Sequence, residues 1–106
     1  ANLIYCEAGG EPYVGQVGVG SVVMNRVLSS VFPNTITGVI YQSGQFAPVA
    51  SGRLALALAE NRATASCYQA ADEVMNGTTN VSNCVFFRTP VEGITPKYTI
   101  GGHIFY

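Results

Sequence analysis

Ile4-Tyr5-Cys6-Glu7-Ala8-Gly9-Gly10-Glu11-Pro12-Tyr13 is the stretch on which the folding of this chain turns, and it runs on into Val14–Val27. It reads as the end of one helix, a glycine break and the start of a second helix. Gly9-Gly10 can take positive φ, a common way to stop a helix. Pro12 suits the first turn of the next helix, where its missing N–H has no partner to lose. Glu11 beside it favours the positive helix N-terminus. Glu7 is thereby placed at a helix C-terminus next to an apolar run, where the dipole and desolvation both disfavour its ionised form and raise its pKa. A raised carboxyl is what a general acid needs near neutral pH. On the residues alone, an ordinary exposed helix-end carboxylate is an equal alternative.

Working outward, residues 13–28 form the main helix candidate, with Val17, Val23, Met24, Val27 and Leu28 sharing a broad apolar stripe and Asn25 and Arg26 near its end. Val17-Gly18-Val19-Gly20 alternates like a strand, and each interior glycine costs a helix about 1 kcal/mol against alanine. The helix reading is preferred, with Gly15 and Gly18, three apart, letting another backbone come close. These glycines do not make a dinucleotide fingerprint, which needs glycine at the position of Val23. On the other side, Ala1–Ala8 is too short to be a stable helix alone, but Leu3, Ile4 and Cys6 can dock it on a core.

Ser29–Asn34 is a connection, with Pro33 ending any helix. Asn34 or Thr35 caps a short helix through Ile40. Tyr41–Gly52 has glycine and proline breaks and no period, and reads as a loop carrying Gln42, Gln45 and Phe46. Leu54–Leu58 fits strand or helix. Asn61 caps a helix from Arg62 to Asn76, which Gly77 ends. Thr78–Asn83 is a turn, Val85-Phe86-Phe87 a strand, Pro90–Pro96 a loop, and Ile104-Phe105-Tyr106 a last short strand.

The 106 residues are read as one domain, residues 1–106, with a single modest core. Hydrophobic residues make up 48% and charged residues 10%, too apolar a balance for disorder. No stretch is long enough to span a bilayer. The net charge of −1 shows no basic patch, so nucleic acid is not an expected partner. A neutral, tyrosine-bearing surface suits a carbohydrate better. No signal peptide is visible, and the chain reads as a mature domain or a piece of a longer secreted protein. One histidine and three scattered cysteines give no metal-ligand spacing, so neither metal nor cofactor is expected. The odd cysteine count permits one bridge, Cys67–Cys84, with Cys6 left over; three free buried thiols are the alternative. Cys6 and His103 could be imagined as a thiol-peptidase pair, but Cys6 falls on an apolar face where inert thiols are common.

Tyr5-Cys6-Glu7-Ala8-Gly9-Gly10-Glu11-Pro12-Tyr13 and the following run through Val27 resemble the signature of the SleB/CwlJ-type cell-wall hydrolases, the spore cortex-lytic enzymes and their relatives. The resemblance continues at Phe32-Pro33-Asn34-Thr35, at Val39-Ile40-Tyr41-Gln42 leading to Gln45-Phe46, and at Gly101-Gly102-His103-Ile104-Phe105-Tyr106. It covers nearly all the chain. It implies a predominantly helical α+β, lysozyme-like fold with a small β-hairpin. It also implies action on peptidoglycan glycan strands between N-acetylmuramic acid and N-acetylglucosamine, and one essential glutamate, which maps onto Glu7.

Glycan cleavage needs a proton donor to the leaving oxygen and stabilisation of an oxocarbenium-like transition state. Of the six carboxylates, Asp72, Glu73 and Glu60 read as the solvated face of a helix, and Glu92 sits in a late loop. Glu11 reads first as a helix-start residue and second as a substrate contact. With no convincing partner for Glu7, the resemblance implies lytic transglycosylation, in which one glutamate serves as acid and then base and leaves a 1,6-anhydromuramic end. Gln45 and Phe46 are the leading substrate-binding candidates, followed by Gln42, Tyr41, Phe87, Tyr98 and Tyr106 as sugar-stacking or amide-binding groups. Phe86 and Phe87 alternate, so at most one faces a cleft. A non-catalytic wall-binding module and a thiol amidase or peptidase are the alternatives. A monomer in the cell envelope, or secreted, is the expected setting.

Overall fold

The computed structural model describes all residues from Ala1 to Tyr106. Six helices come first: α1 (Asn2–Ala8), α2 (Tyr13–Leu28), α3 (Ile36–Ile40), α4 (Ala47–Ala50), α5 (Arg53–Glu60) and α6 (Ala65–Met75). Three short strands follow: β1 (Phe87–Arg88), β2 (Tyr98–Ile100) and β3 (His103–Phe105). The strands form an antiparallel sheet of order β1-β3-β2, with Phe105 opposite both Phe87 and Tyr98. β2 and β3 form a hairpin, although no strand was expected at 98–100, and β1, near the strand expected at 85–87, adds a third strand on the far side of β3. Gly101 makes the tight turn at φ 57°, in the left-handed region open to glycine.

α2 is the axis of the molecule and lies against α1, α3 and α6. Every residue from Gly15 to Val23 is buried, so the helix is enclosed on all sides there and lacks the expected stripe. Its glycines explain the strand-like alternation. A Cβ at Gly18 would lie 2.7 Å from Cζ of Phe105, and one at Gly20 would lie 3.0 Å from a Val74 methyl and 3.2 Å from Cδ1 of Ile4. The glycines thus admit side chains of the sheet, α6 and α1, and no second backbone uses them. The buried valines between and after them, Val17, Val19, Val22 and Val23, each stabilise the fold by about 1.5–3 kcal/mol through lost apolar surface. That offsets the helix cost of glycine.

Several boundaries differ from the sequence reading. Gly9 and Gly10 do not use positive φ; Gly9 closes α1 at φ −59°, ψ −30°. A side chain at Gly9 would press on the Tyr5 carbonyl oxygen, 2.6 Å from its Cβ, so glycine is required there for closeness and not for handedness. The 41–52 loop contains the single turn of α4, started by Pro48 in its first turn. Leu54–Leu58 is helical, with Leu54 and Ala57 inward. Asn61 does not cap α6; it ends α5 in the left-handed region at φ 49°. Thr64 is the α6 cap, its hydroxyl accepting from the Cys67 N–H at 3.3 Å, which is worth about 1 kcal/mol. Thr35, of the two candidates, caps α3 by accepting from Gly38 N–H at 3.0 Å.

Cys67 and Cys84 are both free thiols, so the expected bridge is absent. They belong to separate parts of the core. Cys67 packs with Ile4, Val19 and Val74, where its sulfur accepts from the Thr64 hydroxyl, while Cys84 packs with Val22, Val81 and Phe105.

Candidate active site

The break between α1 and α2 forms one side of an open cleft of about 390 Å³, lined by Tyr5 through Glu11 from this break and by Thr89, Gly102 and His103 from the sheet end. Of the residues singled out from sequence for the site, this cleft brings together Glu7 and Glu11.

Glu7 sits in the last turn of α1, where the unpaired helix carbonyls oppose a negative charge. Its side chain is half-buried, and burial raises its carboxyl above the ordinary value near 4.5, with Arg53 of α5 pulling the other way. It takes part in none of the chain's side-chain hydrogen bonds or ion pairs, in contrast to Glu11. The linkage has a definite sign. A carboxyl whose folded value is raised favours the protonated protein, so the contribution of Glu7 to stability is fully present below pH 4.5 and is lost as pH rises through the raised value. Glu7→Gln is therefore expected to melt above wild type at pH 7, with the gap closing below pH 4.5. Thermal melts across pH 3–8 check this, and a constant gap would contradict it.

Glu11 is not a capping residue. No acidic side chain lies in the first turn of α2. Its Oε1 instead accepts the Gly102 N–H at 2.6 Å and lies 3.6 Å from His103 Nδ1, which is buried and otherwise unpartnered. The carboxylate thus ties the helix break to the β2–β3 turn. The left-handed turn at Gly101 is filled by this contact, since a Cβ there would meet Glu11 Oε1 at 2.5 Å. His103 is edge-on to the Phe87 ring at 5.3 Å.

The remaining candidates lie elsewhere. Phe46 is 5% exposed and packs with Leu3, Val23, Val39 and Leu54, so it is core and offers no face for a sugar. Gln45 is exposed away from the Glu7 cleft, and its Oε1 accepts from Nη1 of the buried Arg26 at 3.1 Å. That guanidinium also donates to the Val85 carbonyl at 2.7 Å and lies over the rings of Phe32, Phe46 and Phe86 within 4.8–5.3 Å. Burial lowers its pKa. Gln42 has its Oε1 enclosed without a partner. Phe87 is half-buried among Phe46, His103 and Phe105, and Phe86 is the exposed member of the pair, stacked on Tyr106. Tyr41 and Tyr98 are exposed but do not line the Glu7 cleft. Glu73 is not simply solvated; it accepts the Tyr13 hydroxyl at 2.7 Å, and burial with this bond pushes that hydroxyl up to about 12.

Cys6 and His103 do line the same cleft, but burial raises the Cys6 thiol, which keeps it protonated and a poor nucleophile. Sequence reasoning left out Thr89 and Tyr5 and weighed His103 for the site only as a possible partner of Cys6. Thr89 carries no motif, and His103 reaches the cleft only because β3 carries it there. No group of three or more His, Cys, Asp or Glu side chains is placed to hold a metal ion.

A helical body built on a glycine-bearing central helix, with a raised carboxyl at the mouth between it and a small antiparallel sheet, defines a lysozyme-like α+β domain. Comparison with known proteins agrees with the resemblance in the residues. The chain belongs to the cell wall hydrolase family, whose sequence model matches residues 10–106. It is 37% identical over 113 residues to a spore cortex-lytic enzyme of Bacillus cereus, covering 99% of this chain and 41% of that protein. It is 32% identical over 112 residues to the spore cortex-lytic enzyme of Bacillus subtilis, covering 99% of this chain and 35% of the other. The chain thus spans between about a third and two fifths of the length of these two curated relatives. Among solved structures it is similar to the catalytic domain of the germination-specific lytic transglycosylase SleB from Bacillus anthracis. That match has a TM-score of 0.80 and 36% identity, over 98% of this chain and 87% of the other. The catalytic domain of the Bacillus cereus SleB protein matches equally, over 83% of its chain.

Proposed function

We propose that the 106 residues act as one catalytic domain that cleaves peptidoglycan glycan strands between N-acetylmuramic acid and N-acetylglucosamine by lytic transglycosylation, with Glu7 as both acid and base. The observation that carries this reading is the unequal state of the two cleft carboxylates. Glu11 is held by Gly102 N–H and faces His103, whereas Glu7 is half-buried, raised and uncommitted. One free carboxyl fits a mechanism that needs only one. The protonated Glu7 gives its proton to the glycosidic oxygen as the bond from that oxygen to muramic C1 breaks. The carboxylate it becomes stands beside the developing positive charge at C1. It then takes the proton from the muramic C6 hydroxyl as that oxygen closes on C1. Glu7 ends as it began, no water is consumed, and the product is a 1,6-anhydro ring.

Glu7 lies ahead of the stretch matched by the family model, so its role here is supported by the cleft. The substrate places the domain in the cell envelope, on cortex or wall, and no helix is long and apolar enough to cross a membrane. Digestion in ¹⁸O-labelled water is the test. Mass spectrometry should find anhydromuramic ends without label; label at the new muramic terminus would mean hydrolysis and would overturn the transglycosylase reading.

A further inference from the structure

A second open cavity, about 460 Å³, adjoins the Glu7 cleft, and the two share Tyr5, Cys6, Gly9 and Gly10 as a common wall. Its other side is α5 and the residues after it, with Arg53 and Arg62 both lining it. The chain has only five lysines and arginines, and Arg26 is buried among aromatics. Two of the four remaining cations therefore face one cavity beside the candidate acid.

Arg53 is placed against local preference. It is the first residue of α5, where a cation meets the positive end of the helix dipole, and no side chain caps that end. It pairs with no carboxylate; its Nε donates to the Ser51 hydroxyl at 3.3 Å. Arg62 pairs only with Glu60, at 2.7 Å in an exposed contact of the weak kind. Arg53, which makes no ion pair and stands at a cavity wall against helix preference, and Arg62, whose only pair is exposed and weak, leave positive charge at this cavity for an anion to meet.

The geometry points to this cavity as a carboxylate-reading subsite, in which Arg53 and Arg62 bind an acidic group of the peptide stem on the muramic residue whose bond is cut. The inference rests on the glycan-cleaving reading above, because the stem hangs from the sugar that occupies the neighbouring cleft. The planar forked guanidinium suits a carboxylate. Both arginines are then specificity residues, setting how tightly a stem-bearing strand is held.

The test uses three soluble strand preparations: stems intact, stem carboxylates converted to amides, and stems removed by an amidase. Binding is measured by calorimetry on the Glu7→Gln protein, so turnover does not enter. Intact strands should bind about three- to tenfold more tightly than amidated or stripped ones, the range of one or two partly exposed charged contacts. Adding Arg62→Ala or Arg53→Ala should abolish that preference while leaving affinity for stripped strands unchanged. Both residues are exposed, so folding is not at stake. In the otherwise wild-type protein, Arg62→Ala should raise KM on intact strands and leave kcat and the pH profile as they are. Equal binding to intact and amidated strands, or a preference that survives both substitutions, would overturn the subsite. Failure of the wild-type protein to cleave any preparation would instead overturn the enzymatic reading, and the binding data would still decide the subsite.

Discussion

Glu7→Gln is expected to lower strand cleavage by about 10²–10⁴-fold, the usual contribution of a general acid–base group, and by the upper part of that range if one residue serves both proton transfers. The amide keeps the size of the side chain but has no proton to give to the leaving oxygen. The fold should be retained, since the last turn of α1 and the partial burial both disfavour the lost charge. Glu11→Gln is the matched control. Its remaining Oε1 can still accept the Gly102 N–H, but the charge facing His103 is gone, so activity should fall less. Release of muropeptides from purified wall measures both. A fully active Glu7→Gln beside a dead Glu11→Gln would mean that the other carboxylate is the acid. Full activity in both would end the one-glutamate mechanism.

The largest effect on stability should come from Phe105→Ala, at about 3–5 kcal/mol. Phe105 is wholly buried at the centre of the sheet, packed with Val22, Val81 and Cys84 and 6.0 Å from the Phe87 ring. Its ring lies in the space that Gly18 leaves on α2. The two positions should therefore couple. Gly18→Ala alone should destabilise, because its methyl would sit 2.7 Å from Phe105 Cζ and overpacking costs about 1–3 kcal/mol. With Phe105→Ala the clash is gone, and the same substitution should stabilise through alanine's better helix propensity, by up to about 1 kcal/mol. Urea denaturation of the four proteins gives the cycle. Additive effects, or a loss below about 1 kcal/mol for Phe105→Ala, would show that the ring does not hold the sheet to α2.

The course of α2 could be read from residues 13–28, because Pro12 and the apolar content fix its start and burial. What the residues could not show is why it holds so many glycines. The reason is the arrival of Phe105, Val74 and Ile4 from three other elements. The start of α6 was misplaced because Asn61 and Thr64 are both good caps, and Asn61 is used by the helix before. β2 was missed because Tyr98-Thr99-Ile100 is too short to show a period. In the site, local chemistry showed Glu7 only as a carboxyl at a helix end, with an ordinary exposed carboxylate an equal alternative; the family resemblance singled it out. Tyr41, Gln42, Gln45 and Phe46 were drawn from a loop whose exposure could not be judged, and the buried Arg26 bonds Gln45 and lies over Phe46. The Arg53 cavity needs the packing of α5 beside α1, which no spacing encodes.

The bond from Gly102 N–H to Glu11 joins residues 91 apart in the chain, and the strand that carries His103 is the last in sequence yet the middle one of the sheet. Neither β1 nor β2 has a neighbour until β3 slides between them. The helices can gather first, through shorter-range contacts, but this final insertion must close a long loop. Until that insertion, Glu7 and Glu11 have no opposite wall, because Gly102 and His103 reach the cleft only with β3. The candidate cleft is therefore assembled only once β3, which brings Gly102 and His103 to its far side, has been laid in between β1 and β2.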